Sequence, residues 1–256
     1  MKAMIFAAGL GTRLKPITDT MPKALVPVGG TPLLEHVIRR FQAAGINDFV
    51  VNVHHFADQI VDYVNANASF GSSVSISDER ECLLETGGGI YHAKELLMRG
   101  SSQESRFIVH NVDIISDLDL GWFMSQWRPD ALATLLVSRR DTQRYLLFDE
   151  GMRLVGWTNI ATGEVRTPYP SLDVSKCRRF AFAGIHQMSN SIFSVMESEA
   201  MGERFPIMDF YLKVCDRYPI YGAVPQELRM IDVGKLNSLD QAECLLQELR
   251  RSCRPL

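Results

Sequence analysis

The chain has 256 residues, of which 46% are hydrophobic and 22% are charged, and 27 basic against 30 acidic residues give a formal net charge of -3. This balance is typical of a soluble globular protein and excludes intrinsic disorder. It also lacks the basic excess that a dedicated nucleic-acid binder needs. The length predicts one compact domain with a sizeable core.

Signals for secretion and membrane insertion are absent from the sequence. The N-terminal apolar run ends at Gly9 and is too short for a signal peptide, and no stretch approaches the ~18 apolar residues of a membrane helix. The five cysteines are odd in number and form no Cys-x-x-Cys pair, which argues against a zinc site and a disulfide framework. We therefore expect a cytoplasmic protein with reduced thiols and no membrane or nucleic-acid partner.

In the first half of the chain, apolar runs of strand length alternate with segments of helical period, a pattern that predicts a parallel sheet covered by helices. The predicted elements, in chain order, are a strand at Met1–Ala8, a helix at Pro32–Ala44, strands at Phe49–Val53 and Val74–Ser77, a helix at Ile90–Met98 and a strand at Phe107–Asp113. Pro32 is predicted at the first helical position, with Gly45 just past the helix end.

The second half carries shorter apolar runs. Residues 131–138, 145–148 and 154–157 are predicted strands, the last two joined by an Asp149-Glu150-Gly151 hairpin turn. Residues 159–179 are polar and are expected to form a plain surface loop, with a lid or dimer contact as the alternative. A strand at 180–185, a helix at 209–215 and a helix opened by a capping box at Ser238–Gln241 and ending near Arg250 complete the prediction. The pattern indicates a single α/β domain, three-layered and Rossmann-like, with a mixed, mostly parallel central sheet.

The first predicted strand runs directly into Gly9-Leu10-Gly11-Thr12-Arg13, a turn whose backbone amides can approach an anionic ligand closely. A dinucleotide fingerprint is excluded because its third glycine would fall at Leu14, and Walker A spacing is absent too. Arg13 and the nearby Lys23 add two cations, a combination that suits a triphosphate better than a dinucleotide.

Taken together, Ala7-Ala8-Gly9-x-Gly11-Thr12-Arg13-Leu14, Pro22-Lys23 and Pro27 resemble the N-terminal signature of the sugar-1-phosphate nucleotidyltransferases. The resemblance continues in chain order through Glu85-Thr86-Gly87-Gly88-Gly89, Asn111-Val112-Asp113, Phe182-Ala183-Gly184-Ile185 and Asp232-Val233-Gly234. Within the family, the form of residues 84–90 and an expected lack of any C-terminal extension are most similar to the N-acetylmuramate-1-phosphate uridylyltransferases and related small enzymes.

The resemblance implies that a nucleoside triphosphate and a sugar 1-phosphate react to give a nucleoside-diphosphate sugar and pyrophosphate, with Mg²⁺ as cofactor. The leading subtype uses UTP and N-acetylmuramate 1-phosphate, for cell envelope polysaccharide. Mannose- or heptose-1-phosphate guanylyltransferase, glucose-1-phosphate thymidylyltransferase and phosphocholine cytidylyltransferase stay open, the last because Trp157 and Tyr169 could wall a quaternary ammonium. A non-catalytic nucleotide-sugar sensor is a further alternative, and a homo-oligomer also stays open.

The resemblance assigns Arg13 to the leaving pyrophosphate and Lys23 to the α-phosphoryl oxygens, as catalytic groups. It implies Asp113 and Asp232 as Mg²⁺ ligands, and carboxylates at strand ends suit that hard cation. The implied nucleotide-binding residues are Ala8, Gly9, Gly11, Thr12, Arg13, Lys23, Glu85, Thr86, Gly87 and Gly88, and the implied acceptor-binding residues are Asn111 and Gly184. Each residue taken alone also fits a structural role, such as a tight turn or a glycine connector.

The sequence departs from the family in the acceptor region. Relatives carry a Glu-Lys-Pro segment whose lysine holds the sugar phosphate, whereas the matching residues 154–159 contain no lysine. That cation is therefore unassigned, and the nearby candidates are Arg166, Lys176, Arg178 and Arg179. We expect residues 1–130 to form the nucleotide-binding half and residues 131–256 the sugar-phosphate-binding half. The histidines, with no metal-ligand spacing around them, are expected to be structural.

Overall fold

The structure is a computed structural model that describes residues 1–102 and 105–251. Its strands are β1 (Lys2–Phe6), β2 (Pro27–Val28), β3 (Thr31–Pro32), β4 (Asp48–Val53), β5 (Ser73–Asp78), β6 (Arg106–Asn111), β7 (Ile114–Ser116), β8 (Ala133–Ser138), β9 (Arg144–Phe148), β10 (Leu154–Asn159), β11 (Glu164–Arg166), β12 (Arg178–Ser189), β13 (Ile220–Ala223) and β14 (Met230–Asp232). Its helices are α1 (Leu33–Ala43), α2 (Ala57–Ala66), α3 (Glu85–His92), α4 (Lys94–Met98), α5 (Leu120–Ser125), α6 (Ile192–Ser198), α7 (Ile207–Val214) and α8 (Asn237–Arg251).

One mixed sheet forms the middle layer. The strands β5, β4, β1 and β6 lie side by side in parallel. Next to β6, β12 runs antiparallel and continues the sheet through β9, β10 and β11 on one path and through β8 and β13 on another. The predicted α/β domain with a mixed sheet is confirmed, and its parallel strands carry the glycine turn and Asp113.

The central strands bury both of their faces, which is why their sequences are almost continuously apolar. Along β1, Ala3 and Ile5 enter a core that includes apolar residues of α1, α2 and α8. Met4 points to the opposite face and enters a second core with residues of α3, α6 and α7. The sheet therefore lies between two helical layers, as the three-layer prediction requires.

Several predicted boundaries are confirmed and others are wrong. The β9–β10 hairpin forms around Asp149-Glu150-Gly151. The plain loop expected at 159–179 is wrong in part, because β11 pairs with β10 there as a third strand and a short 3-10 helix covers Val174–Lys176. Pro32 precedes α1 as its N-cap and is not the first helical residue. The elements α2, α6 and β13 had no predicted counterpart.

Two predicted helix starts are corrected by side-chain and backbone contacts. The helix expected at 90–98 begins at Glu85, runs through the three glycines, and is followed by a separate α4. The capping box at Ser238 is wrong, because α8 already includes Asn237 and the Ser238 hydroxyl donates back to the Lys235 carbonyl oxygen at 2.6 Å.

Within residues 1–102 and 105–251, no helix combines the length and the apolar character needed to cross a bilayer. Cys82, Cys177, Cys215 and Cys244 are free thiols, as predicted. Cys253 lies outside the described residues.

Candidate active site

A cleft of about 610 Å³ opens where β1 and β6 end. The carboxyl edge of a parallel sheet is the usual ligand crevice of an α/β fold. The lining brings together the glycine turn with Arg13, the turn at Glu85 and Thr86, and the strand end at Asn111 to Asp113, together with Lys23, Glu79, Pro206 and Gly234. Residues from segments far apart in sequence thus line one cleft.

The two glycines of the first turn differ in what they do. Gly11 has a left-handed backbone (φ 64°), and a Cβ there would lie 2.8 Å from the Thr18 methyl and 3.2 Å from the Lys23 Cβ. The Thr18 hydroxyl donates to the Gly11 carbonyl oxygen at 2.8 Å, which ties the turn to the segment that carries Lys23. No atom lies within 4 Å of a Cβ built on Gly9, so the cleft stays open at that point.

Asp113 and Asp232 are brought together by a small antiparallel ribbon of β7 and β14. Asp232 pairs with Ile114, the residue after Asp113, and the Val233 amide donates to the Asp113 carbonyl oxygen at 2.8 Å. The ribbon therefore brings two carboxylates from opposite ends of the chain close to each other, and their role as Mg²⁺ ligands stays a prediction.

Two cations face this pair of carboxylates. The ammonium group of Lys23 forms an ion pair with Asp113, and the two side chains are only 11% and 20% exposed. A Cβ built on Gly234 would lie 2.8 Å from both Arg13 Nη2 and Asp232 Oδ1, so the guanidinium lies close to the second carboxylate. The absence of a side chain at Gly234 leaves the room that Arg13 occupies.

Burial raises the pKa of Asp232, and the nearby charge of Asp113 raises it further, against the opposing effect of Lys23, Arg13 and Arg140. Two neighbouring carboxylates that repel each other form a site that a divalent cation stabilises. Among residues 1–102 and 105–251 no group of three or more His, Cys, Asp or Glu could hold a metal by itself. The two carboxylates fit Mg²⁺ if substrate oxygens and water complete its shell.

A buried hydrogen-bond network at the cleft was not predicted from the sequence. Asn52 at the end of β4 donates to Glu79 Oε1 at 2.7 Å and accepts from the Ala7 amide at 2.8 Å. Glu79, 3% exposed, also accepts from the Leu84 amide at 3.3 Å. Burial raises the Glu79 pKa, and the Asn52 hydrogen bond opposes that shift. The sequence signal that could have indicated this network is Asn52, a polar residue inside the apolar run Phe49–Val53.

Gly87 and Gly88 are not among the residues that line the cleft, whereas Glu85 and Thr86 are. Both glycine amides donate to the Phe205 carbonyl oxygen, at 2.8 and 3.1 Å. A Cβ on Gly87 would collide with the Phe205 ring, and one on Gly88 with the Glu203 carbonyl oxygen. The close approach of α3 to residues 203–205 explains why glycines stand here, and their contact with a nucleoside stays a prediction.

The predicted acceptor residues lie together. Gly184 has a left-handed backbone (φ 74°), and a Cβ there would lie 2.9 Å from Asn111 Nδ2. Trp157 and Tyr169, in contrast, do not line the cleft. Arg166 lies over the Trp157 ring at 5.9 Å, and the Tyr169 hydroxyl donates to the Cys215 carbonyl oxygen at 3.1 Å. The cleft described here therefore offers no aromatic wall from these two residues.

Comparison with known proteins identifies the family of this chain. A family model described as nucleotidyl transferase matches residues 2–145. The N-acetylmuramate alpha-1-phosphate uridylyltransferase of Caulobacter vibrioides is 31% identical over 252 residues, which cover 96% of this chain and 97% of that protein. The protein of the same name from Neisseria meningitidis serogroup B is 40% identical over 119 residues, 46% of this chain and 49% of that protein. The apo structure of a UDP-glucose pyrophosphorylase shares the fold, with a TM-score of 0.75 and 17% identity over 98% of this chain and 99% of that one. The chain belongs to the nucleotidyl transferase family.

Proposed function

We propose that the protein transfers the uridylyl group of UTP to N-acetylmuramate 1-phosphate, giving UDP-N-acetylmuramate and pyrophosphate, with Mg²⁺ as cofactor. The observation that carries the proposal is the meeting of Asp113 and Asp232 with Lys23 and Arg13 beside a cleft that the glycine turn lines. The two relatives named for this reaction support the choice of UTP and of the acceptor. A UTP-dependent enzyme of this kind would act in the cytoplasm.

The reaction requires no general base from the protein. A phosphate oxygen of the acceptor is already ionised near neutral pH and attacks the α-phosphorus of UTP directly. The bond from the α-phosphorus to the bridging oxygen breaks, and pyrophosphate leaves with that electron pair. Catalysis then depends on alignment and on neutralising the charge that moves between these oxygens.

The described side chains divide this work between them. Arg13, beside Asp232, is placed to hold the pyrophosphate as it departs, and its bidentate guanidinium suits phosphate oxygens. Lys23, buried against the glycine turn, is assigned the role of offsetting charge on the α-phosphoryl oxygens. Removing one such preorganised group typically lowers a rate on the order of 10²- to 10³-fold. Mg²⁺, held by Asp113 and Asp232, would add further charge neutralisation on the triphosphate.

The remaining cleft residues are assigned to the nucleotide. Ala8, Gly9, Gly11 and Thr12 surround the triphosphate side, and Glu85 and Thr86 lie on the wall formed by the start of α3. The Thr86 hydroxyl accepts from the Ile207 amide at 2.9 Å, so its position is fixed before a ligand arrives. A rigid wall of this kind reduces the ordering that a bound nucleoside must impose.

Pyrophosphate release from purified protein tests the proposal. UTP, CTP, GTP, ATP and dTTP are each combined with N-acetylmuramate, glucose, mannose and N-acetylglucosamine 1-phosphates and with phosphocholine, in Mg²⁺ and in EDTA. We expect the highest kcat/KM with UTP and N-acetylmuramate 1-phosphate in Mg²⁺. In EDTA we expect no pyrophosphate release from any pair. A higher kcat/KM with another pair would replace the assigned substrates, and no release from any pair would reject the reaction.

A further inference from the structure

The proposed reaction needs a cation for the phosphate of the acceptor near the acidic pair Asp113 and Asp232. The four candidate cations near residues 154–159 are engaged or located elsewhere. Arg166 forms an ion pair with Asp209 at 2.7 Å. Lys176 pairs with Asp173 at 3.5 Å, beside a separate surface groove. Arg178 and Arg179 lie at the first residues of β12, in register with β9. Arg166 and Lys176 are therefore already paired with carboxylates outside the cleft.

Arg140 is a further cation at this end of the sheet. It follows β8 by two residues, and its Nη2 donates to the Phe182 carbonyl oxygen at 3.1 Å. Phe182 precedes Gly184, whose missing side chain leaves room for Asn111 and for Ile114. Because β12 runs antiparallel to β6 with Ile185 opposite His110, the residues before Gly184 pass alongside the end of β6, where Asp113 lies.

Within the part of the chain that the structure describes, Arg140 forms no ion pair. No carboxylate within residues 1–102 and 105–251 lies within ion-pair distance of its exposed guanidinium, which is held in place by a neutral carbonyl. A cation that is oriented by a neutral carbonyl and has no carboxylate partner has the character of an anion-binding group.

Resting on the proposed function, we infer that Arg140 binds the phosphate of the sugar 1-phosphate acceptor, with the role that a lysine after the central hairpin fills in relatives. The acceptor's phosphomonoester would lie between Arg140 and the acidic pair, on the side of the α-phosphorus away from Arg13. This placement suits in-line displacement, in which the entering and leaving oxygens lie on opposite sides of the phosphorus. It also explains how the chain manages without a lysine in residues 154–159.

The neighbouring Arg139 provides a matched control. It is also exposed, but its Nη1 donates to the Pro225 carbonyl oxygen at 3.5 Å and its guanidinium lies over the Phe180 ring at 5.9 Å. Kinetics with UTP and N-acetylmuramate 1-phosphate are compared for wild type, Arg140→Gln, Arg140→Lys and Arg139→Gln. Calorimetry measures the binding of Mg-UTP in the absence of acceptor.

For Arg140→Gln we expect the acceptor KM to rise on the order of 10- to 100-fold, as for the loss of a charge-assisted hydrogen bond. Mg-UTP affinity should be unchanged, Arg140→Lys should recover part of the loss, and Arg139→Gln should match wild type. The factor should be the same for every sugar 1-phosphate that the enzyme accepts, because the contact is to phosphate. An active wild type with equal acceptor KM values for Arg140→Gln and Arg139→Gln, or with Mg-UTP affinity lost in Arg140→Gln, overturns the assignment of Arg140 alone. An inactive wild type overturns the proposed function and this inference with it.

Discussion

The glycines of α3 could serve close packing against residues 203–205 or binding of the nucleotide. The substitution Gly88→Ala distinguishes these two roles. A Cβ on Gly88 would overlap the Glu203 carbonyl oxygen and lie 3.2 Å from the Glu203 carbonyl carbon, so the contact is with backbone that no rotamer change can relieve. Residues 203–205 would have to move away from α3. The hydrogen bonds from the Gly87 and Gly88 amides to the Phe205 carbonyl oxygen, at 2.8 and 3.1 Å, would be weakened by that movement.

These contacts set the expected magnitude for Gly88→Ala. Overpacking costs about 1–3 kcal/mol, and two weakened hydrogen bonds add about 1–2 kcal/mol. Alanine returns about 1 kcal/mol through its higher helix propensity. The net loss of unfolding free energy is about 1–4 kcal/mol, which lowers the Tm by roughly 2–16 °C for a domain of this size.

The matched control is Gly9→Ala, because a Cβ at Gly9 meets nothing within 4 Å and its φ lies outside the left-handed region. Its Tm should stay near that of wild type, while its Mg-UTP affinity falls because the methyl group enters the cleft. Thermal unfolding followed by circular dichroism, with calorimetry of Mg-UTP binding, measures both effects. The packing role of Gly88 is refuted if Gly88→Ala keeps the wild-type Tm and loses Mg-UTP affinity instead.

Three further predictions follow from charged and buried groups. Asp113→Asn should release pyrophosphate at least ~10²-fold more slowly with a native circular dichroism spectrum, and full activity would assign Asp113 a turn role only. Arg40→Met should destabilise by about 2–4 kcal/mol in urea unfolding, because half-buried Arg40 donates to the Ser116 and Leu118 carbonyl oxygens, whereas exposed Arg39→Met should stay near wild type; equal midpoints would contradict this. Burial lowers the pKa of His186 to about 3. The contribution of neutral His186 to the free energy of unfolding is therefore fully present above pH 6.5 and is lost as the pH falls toward 3. Between pH 7 and pH 5 His186→Gln should lose about 2 kcal/mol less unfolding free energy than wild type, and parallel losses would argue against a neutral buried His186.

The sequence predicts best where local pattern and burial agree. The strands β1 and β4 are apolar on both faces, so their periodicity and the helix between them could be found without structural information. α2 was missed because only Ala57, Ile60 and Val64 of its ten residues are buried, a sparse stripe in a polar segment. A short buried stripe carries too little signal to separate a helix from a loop.

Tertiary contacts explain the helix start that was predicted wrongly. Three consecutive glycines have poor helix propensity, so their position before a predicted helix indicated a connector. In the structure they are helical because residues 203–205 pack where side chains would otherwise stand. The same non-local contact could not be inferred from residues 85–89 alone.

The candidate site was predictable as a set of residues, but its assembly was not. Nothing local in the sequence says that Asp232 reaches Asp113; the β7–β14 ribbon brings it there. Asp117 fixes the outer end of that ribbon, because its carboxylate, 8% exposed, accepts from the Arg229 amide at 2.8 Å and from Arg229 Nε at 2.9 Å. Arg40 holds the same turn from α1 through the carbonyl oxygens of Ser116 and Leu118. The separation of the two carboxylates is therefore set by contacts outside the family motifs, and a substitution that loosens the ribbon would weaken the proposed Mg²⁺ site while leaving every motif residue in place.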